Sequence, residues 1–169
     1  MTRRLDVQLN GRATELECAD SDLLLDVLRD KMGLTGAKRS CDIEICGACT
    51  VLLDGEPVSG CATLAYEAGG RTVDTIEGVA GEDELHPLQR AFIEHGALQC
   101  GFCTPGMVMT VLALLAREPN PTREQVIEGL EGNLCRCTGY FKIVDAVLAF
   151  CAEAGRTEAA PSQKRLAHE

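Results

Sequence analysis

Eight of the ten cysteines in this 169-residue chain fall into two groups of four, and no other feature constrains the fold as strongly. Cys41, Cys46 and Cys49 follow one another at x4 and x2 spacing, and Cys61 comes after eleven intervening residues. Three thiolates from one tight loop and a fourth from a later segment is the arrangement that holds two bridged irons. Structural zinc favours paired Cys-x2–4-Cys knuckles, so the first group is a poor zinc pattern and a good iron–sulfur one. The second group is Cys100-x2-Cys103 with Cys135-x1-Cys137. Its spacing taken alone suits zinc as well as iron–sulfur chemistry.

The same cysteines could form five disulfides, which would require an oxidising compartment. The N-terminus, Met1 to Asn10, has no apolar run of the secretory kind. Arg3-Arg4 superficially resembles a twin-arginine export signal, but Asp6, Gln8 and Asn10 alternate with apolar residues as in a strand. The longest apolar run, Met107 to Ala116, is too short to span a bilayer. The expectation is a cytoplasmic protein, without membrane insertion, whose cysteines are ligands. The net charge of −10 argues against nucleic acid as a partner. With no Trp and few aromatics, the core must be built from Leu, Val, Ile and Ala.

Two kinds of periodicity divide the chain. Residues 5–9 alternate apolar and polar, Asn10-Gly11 signals a two-residue hairpin, and a second strand runs to about Cys18. Asp20 or Ser21 can cap a helix over 22–32, which Gly33 stops. Thr50 to Val58 reads as a hairpin around Asp54-Gly55, and Arg71–Ile76 as a final strand. A small mixed sheet crossed by one helix is the outline of a ferredoxin-like β-grasp. After the linker Glu77–Asp83 the period becomes helical. Pro87 opens one helix, Thr104-Pro105 a second through Arg117, the Thr122-x-x-Gln125 capping box a third, and Tyr140 to Ala154 is a fourth. Cys103-Thr104 and Cys137-Thr138 each stand just before a helix. Helix N-termini carry free N–H groups and partial positive charge, which suits a dianionic cluster. Gly155 to Glu169 reads as a disordered tail.

Gly47 and Ala48 are small enough to let backbone N–H groups approach cluster sulfurs, although a tight turn alone would also use them. Cys18 and Cys151 belong to neither group and are expected in the core. His86, His95 and His168 form no spaced ligand pair. No Walker sequence, dinucleotide fingerprint or nucleophile–base set occurs.

Three stretches resemble the iron–sulfur small subunits of the molybdenum hydroxylases, the xanthine oxidase family. They are Cys46-Gly-Ala-Cys-Thr-Val-Leu-Leu-Asp-Gly55, Gln99-Cys-Gly-Phe-Cys-Thr-Pro-Gly-Met107 and Gly132-Asn-Leu-Cys-Arg-Cys-Thr-Gly-Tyr140. The resemblance spans residues from about 3 to 153. It implies an α+β fold: a β-grasp ferredoxin-like [2Fe–2S] domain over 1–78, then a four-helix-bundle [2Fe–2S] domain over 79–155, with 156–169 as the tail. It implies that all eight grouped cysteines are ligands. Its members would be electron-transfer subunits of oxidoreductases, partnered by a large molybdopterin-binding subunit and a medium FAD-binding one. Gln99 and Cys137 would lie beside the pterin, as its cytosine dinucleotide form. One departure stands out: the family usually has glycine between the first two cysteines, where this chain has Asp42-Ile43-Glu44-Ile45. A free-standing electron carrier and a zinc-stabilised interaction module are the competing classes. The substrate would be bound on another chain, so its identity is not written here.

Overall fold

The computed structural model describes residues 2–81 and 84–154; the expected tail, 156–169, lies outside the described residues. Strand β1 (Thr2–Leu9) pairs antiparallel with β2 (Arg12–Ala19), Leu9 opposite Arg12. That register leaves Asn10 and Gly11 as the turn, at φ 50° and 75°. Both angles are left-handed, the requirement of a turn that follows the right-handed twist of its strands. Pairing to Ala19 carries β1 back to Thr2, earlier than its apolar alternation begins. Strands β3 (Thr50–Leu53), β4 (Glu56–Ser59) and β5 (Thr72–Asp74) complete a sheet of order β2-β1-β5-β3-β4. Only the β1–β5 pair is parallel.

The helix across this sheet departs from expectation. Helix α1 (Leu24–Asp26) has no side-chain cap and widens into a π-helical segment, Val27–Lys31. Met32 N accordingly reaches back five residues to Val27 O, at 3.0 Å. The neighbouring carboxylate of Asp22 accepts from Ala19 N and from Lys31, so it closes the strand-to-helix corner. Gly33, at φ 70°, ends the segment as expected. Strand β5 is shorter than its pattern because Thr75 leaves the ladder. Its N–H donates to Asn10 Oδ1 at 2.8 Å and its hydroxyl to Glu77 Oε2 at 2.6 Å.

Two apolar cores result. Val7, Leu16, Leu24, Leu28, Val51 and Val73 belong to the first. The second gathers Leu88, Phe92, Met107, Val111, Ile143 and Val147 from α2 (Pro87–Glu94), α3 (Thr104–Arg117) and α5 (Phe141–Ala154), with Val126 of α4 (Arg123–Gly129). All four residues of β3 are buried, because Val51 and Leu53 join the first core while Leu52 joins the second. Strand β3 is thus covered on both faces, and a continuous apolar run there replaces alternation. The whole is a mixed α/β chain with five α-helices among the described residues, four of them in the second core.

The box at Thr122 and Gln125 forms, with Thr122 N donating to Gln125 Oε1 at 2.7 Å. A second box at α2 has no sequence signature. His86 Nδ1 accepts from Leu88 N at 3.1 Å, and His86 N donates to Gln89 Oε1 at 3.0 Å. The acceptor role requires an unprotonated Nδ1, and burial holds the His86 pKa below its ordinary value. A depressed imidazole pKa stabilises the fold above the unfolded pKa of about 6.5 and is lost as pH falls below it. Thermal melts should therefore show about 1 kcal/mol of stability lost over that window, the size of a cap. His86→Asn keeps an acceptor and should flatten this dependence; an unchanged pH profile in that variant would exclude His86 as its source.

Candidate metal centres

The first quartet is assembled by a loop and a hairpin. Cys41 and Cys46 lie on the loop before β3, Cys49 is the last residue before that strand, and Cys61 follows β4. Pairing of Thr50 with Ser59 returns the chain to its starting point, and Gly60 N donates to Cys49 O at 3.3 Å. Cys61 is therefore carried to Cys49 by β-pairing. The loop curls so that its amides face a sulfur: Ile45 N and Cys46 N both donate to Cys41 Sγ at 3.4 Å. With the amide of Ile43 as the strongest contributor, these donors bring the Cys41 thiol down to about 6. Amides that stabilise a thiolate there are the donors a cluster sulfur ligand needs. Cys49 is pushed up to about 12, chiefly by burial and also by Cys61 beside it.

The missing glycine does not change the path of this loop into an ordinary one. Asp42 and Glu44 adopt φ 56° and 59°, the left-handed region that glycine takes without cost. Arg39 pins the bend by donating to Asp42 Oδ1 at 2.6 Å, and its other arm meets Asp26.

In the second quartet Cys100 and Cys103 flank the turn at Gly101, φ 78°, and Cys103 is the N-cap residue of α3. Cys135 and Cys137 come from the segment between α4 and α5. The expected symmetry holds for Cys103 only, since Thr138, Gly139 and Tyr140 separate Cys137 from Phe141, where α5 begins. Tyr140 precedes the helix because its φ of 68° is left-handed. Burial pushes Cys103 up to about 12, with Cys135 adding to it. Burial also acts upward on Cys135, but the Thr138 hydroxyl at 3.1 Å and amide at 3.4 Å outweigh it, and the thiol ends below its ordinary value. Cys137 Sγ lies 3.6 Å from Cys100 Sγ, and both residues are exposed. That contact raises the Cys137 thiol.

The thiols thus meet two by two: Cys41 with Cys46, Cys49 with Cys61, Cys100 with Cys137, Cys103 with Cys135. Among the described residues no three His, Cys, Asp or Glu side chains converge on one ion position. Two thiolates per metal, in two adjacent pairs, is the donor set of a four-thiolate two-iron cluster. All ten cysteines are free thiols, and Cys18 and Cys151, which belong to neither quartet, are buried.

Family comparison agrees with this division. Residues 7–75 match the model of a 2Fe-2S iron-sulfur cluster binding domain, and residues 75–148 that of a [2Fe-2S] binding domain. The nicotine 6-hydroxylase small subunit of Paenarthrobacter nicotinovorans is 50% identical over 144 residues, covering 85% of this chain and 87% of the relative. The nicotinate dehydrogenase small FeS subunit of Eubacterium barkeri is 48% identical over 143 residues, covering 85% and 91%. The chain belongs to the iron–sulfur small subunits of the molybdenum hydroxylase family. The crystal structure of quinoline 2-oxidoreductase from Pseudomonas putida 86 contains a chain that superposes with TM-score 0.88 at 43% identity, over 94% of this chain and 99% of that one. A molybdenum hydroxylase small subunit is an electron-transfer component of a multi-subunit oxidoreductase, and this one carries two [2Fe–2S] sites. Larger partner subunits complete the complex. No helix among the described residues is long and apolar enough to cross a membrane.

Two residues beside the ligands escaped the sequence reading. Tyr140 OH donates to the Asn133 backbone O at 3.1 Å and accepts from Cys135 N at 2.9 Å, which ties down the loop leading into Cys135. Asn133 itself, 3% exposed, donates Nδ2 to Gly47 O at 3.1 Å. Its sequence signal is a Gly-Asn turn, which says nothing of a partner 86 positions away.

Proposed function

We propose that this subunit receives electrons one at a time from a molybdopterin centre on a large subunit and passes them toward FAD on a medium subunit. The contrast between the quartets carries this reading. Cys100 and Cys137 stand exposed, whereas Cys49 and Cys61 are buried. An exposed thiol pair is where a partner's cofactor can approach, so the helical quartet is assigned to the catalytic subunit. The ferredoxin-type quartet then serves the acceptor through the exposed Cys41 loop. When bound, each [2Fe–2S] cluster supplies one-electron capacity at its site. The chain's own contribution is placement: short hydrogen-bonded loops hold eight sulfurs and keep reorganisation small.

In this reading all eight paired cysteines are ligands. Residues 1–78 form the ferredoxin-like β-grasp and 79–155 the four-helix bundle, supported by the sheet order and by the helices of the second core. The pterin is taken as its cytosine dinucleotide form. The compartment is taken as cytoplasmic, since free thiols in this number suit reducing conditions.

Gln99 is assigned to the pterin edge. Its Nε2 donates to Cys137 O at 3.0 Å, which holds the amide against an exposed ligand residue. The side chain keeps a second N–H and an acceptor oxygen for a partner's cofactor. Gln99→Ala should retain both clusters and the assembled complex while slowing reduction of the nearer cluster about tenfold, the worth of one lost hydrogen bond of about 1.4 kcal/mol. Rapid-freeze EPR after mixing the complex with substrate measures this. Unchanged kinetics in an intact complex would remove Gln99 from the pterin site.

A further inference from the structure

The two ligand loops are joined directly, by a backbone bond and by one side chain. Leu134 N donates to Cys46 O at 2.9 Å, so the residue before ligand Cys135 is bonded to ligand Cys46 itself. One position away on each loop, Asn133 Nδ2 donates to Gly47 O. The Gly47 carbonyl is shared with Thr50, whose hydroxyl donates to it at 2.8 Å. On the far side Asn133 O accepts the Tyr140 hydroxyl, which also receives Cys135 N. Asn133 therefore sits in a chain of bonds running from the Cys46–Gly47 loop to Cys135. The packing around it allows no slack. A Cβ built on Gly47 would lie 2.4 Å from Asn133 Nδ2 and from Gly132 O, and Gly47 has φ 64°. The side-chain amide of this buried residue donates across the joint while its backbone carbonyl holds Tyr140, and the tight fit against Gly47 helps fix the loops in one relative position.

We propose that Asn133 is a positioning residue that sets the separation of the two thiol quartets, and hence the strength of contact between the two redox sites. It touches no expected iron and acts through Gly47 and the loop that carries Cys135. The inference rests on the reading of two [2Fe–2S] sites. Without the Asn133 donor, Gly47 O still has Thr50, so the first loop keeps its own shape. What is lost is the side-chain tie between loops, leaving the Leu134 N to Cys46 O bond and the close seating of Gly106 on Gly47.

The test uses the full holo chain, dithionite-reduced, with low-temperature EPR. Two nearby unpaired spins split each other's signals by an amount that falls with the inverse cube of their separation. Native protein should show two signals with mutual splitting. Asn133→Ala and Asn133→Asp should both retain two full-intensity signals and lose part or all of the splitting. The Asp variant keeps the shape and loses the donor, so it reports on the bond even if Ala fails to fold. Unchanged splitting in a folded variant would overturn the inference, because the amide would then only fill space. Loss of one cluster's signal would overturn it too, since Asn133 would be supporting a ligand and not the register between loops. Native protein lacking two signals would overturn the two-cluster reading itself.

Discussion

Cys103→Ser should erase one of two paramagnetic signals from the reduced protein and leave the other at full intensity, and Cys49→Ser should do the converse. Each thiol belongs to a pair within one quartet, and no pair crosses between quartets. Serine cannot supply the thiolate a cluster iron needs at these positions. Cys49 is buried and Cys103 half-buried, and this desolvation pushes each free thiol up to about 12. Three remaining thiolates cannot complete the coordination of two irons, so loss of a whole cluster is expected over a weakened one. Metal analysis should fall from about four irons and four labile sulfides per chain to about two of each. Cys18→Ser and Cys151→Ser are the controls. Both are buried outside the quartets, and a buried hydroxyl costs roughly 1–3 kcal/mol without touching a ligand. If Cys103→Ser removed both signals, the quartets would not be independent sites; if Cys151→Ser removed one, the ligand assignment would be wrong.

Gly106→Ala should be strongly destabilising although it alters no ligand. A Cβ on Gly106 would stand 2.1 Å from Gly47 O and 3.3 Å from Ala48 Cα. The obstruction is backbone, which cannot rotate aside as a side chain can. The first turn of α3 would have to withdraw from the cysteine loop, taking Cys103 with it. Overpacking of this kind costs about 3 kcal/mol at the upper end of its usual range. Gly132→Ala is the matched control: its Cβ meets nothing within 4 Å, so a change of less than about 0.5 kcal/mol is expected. Denaturant melts of the holo proteins compare the two. A near-neutral Gly106→Ala would show that α3 and the loop are not rigidly seated on each other.

Local signals in the chain proved sufficient wherever the physics is local. Asn10-Gly11 and Asp54-Gly55 specify hairpins because a left-handed pair of φ angles needs those residues, and both pairs adopt them. The Thr122–Gln125 box works over three positions, within reach of one side chain. The spacing of Cys41, Cys46 and Cys49 singles out a two-iron site because it decides which sulfurs a single loop can aim together. Where partners are distant in sequence, only the tertiary structure decides. The pairing of Cys103 with Cys135 depends on how the second core packs, and that of Asn133 with Gly47 on two cores coming to rest on opposite faces of β3. The same seating sets the need for glycine at 106, which as a sequence symbol reads only as a weak residue in a helix. The π-helical segment at Val27–Lys31 and the His86 cap were equally invisible, since each answers to what packs or bonds beside it. Spacing alone marked the first quartet as a two-iron site, and the motifs around Cys100–Cys103 and Cys135–Cys137 implied the second only through family resemblance. The distance between the two sites was decided by contacts between segments far apart in the chain, because close packing, unlike ligand spacing, has no local code.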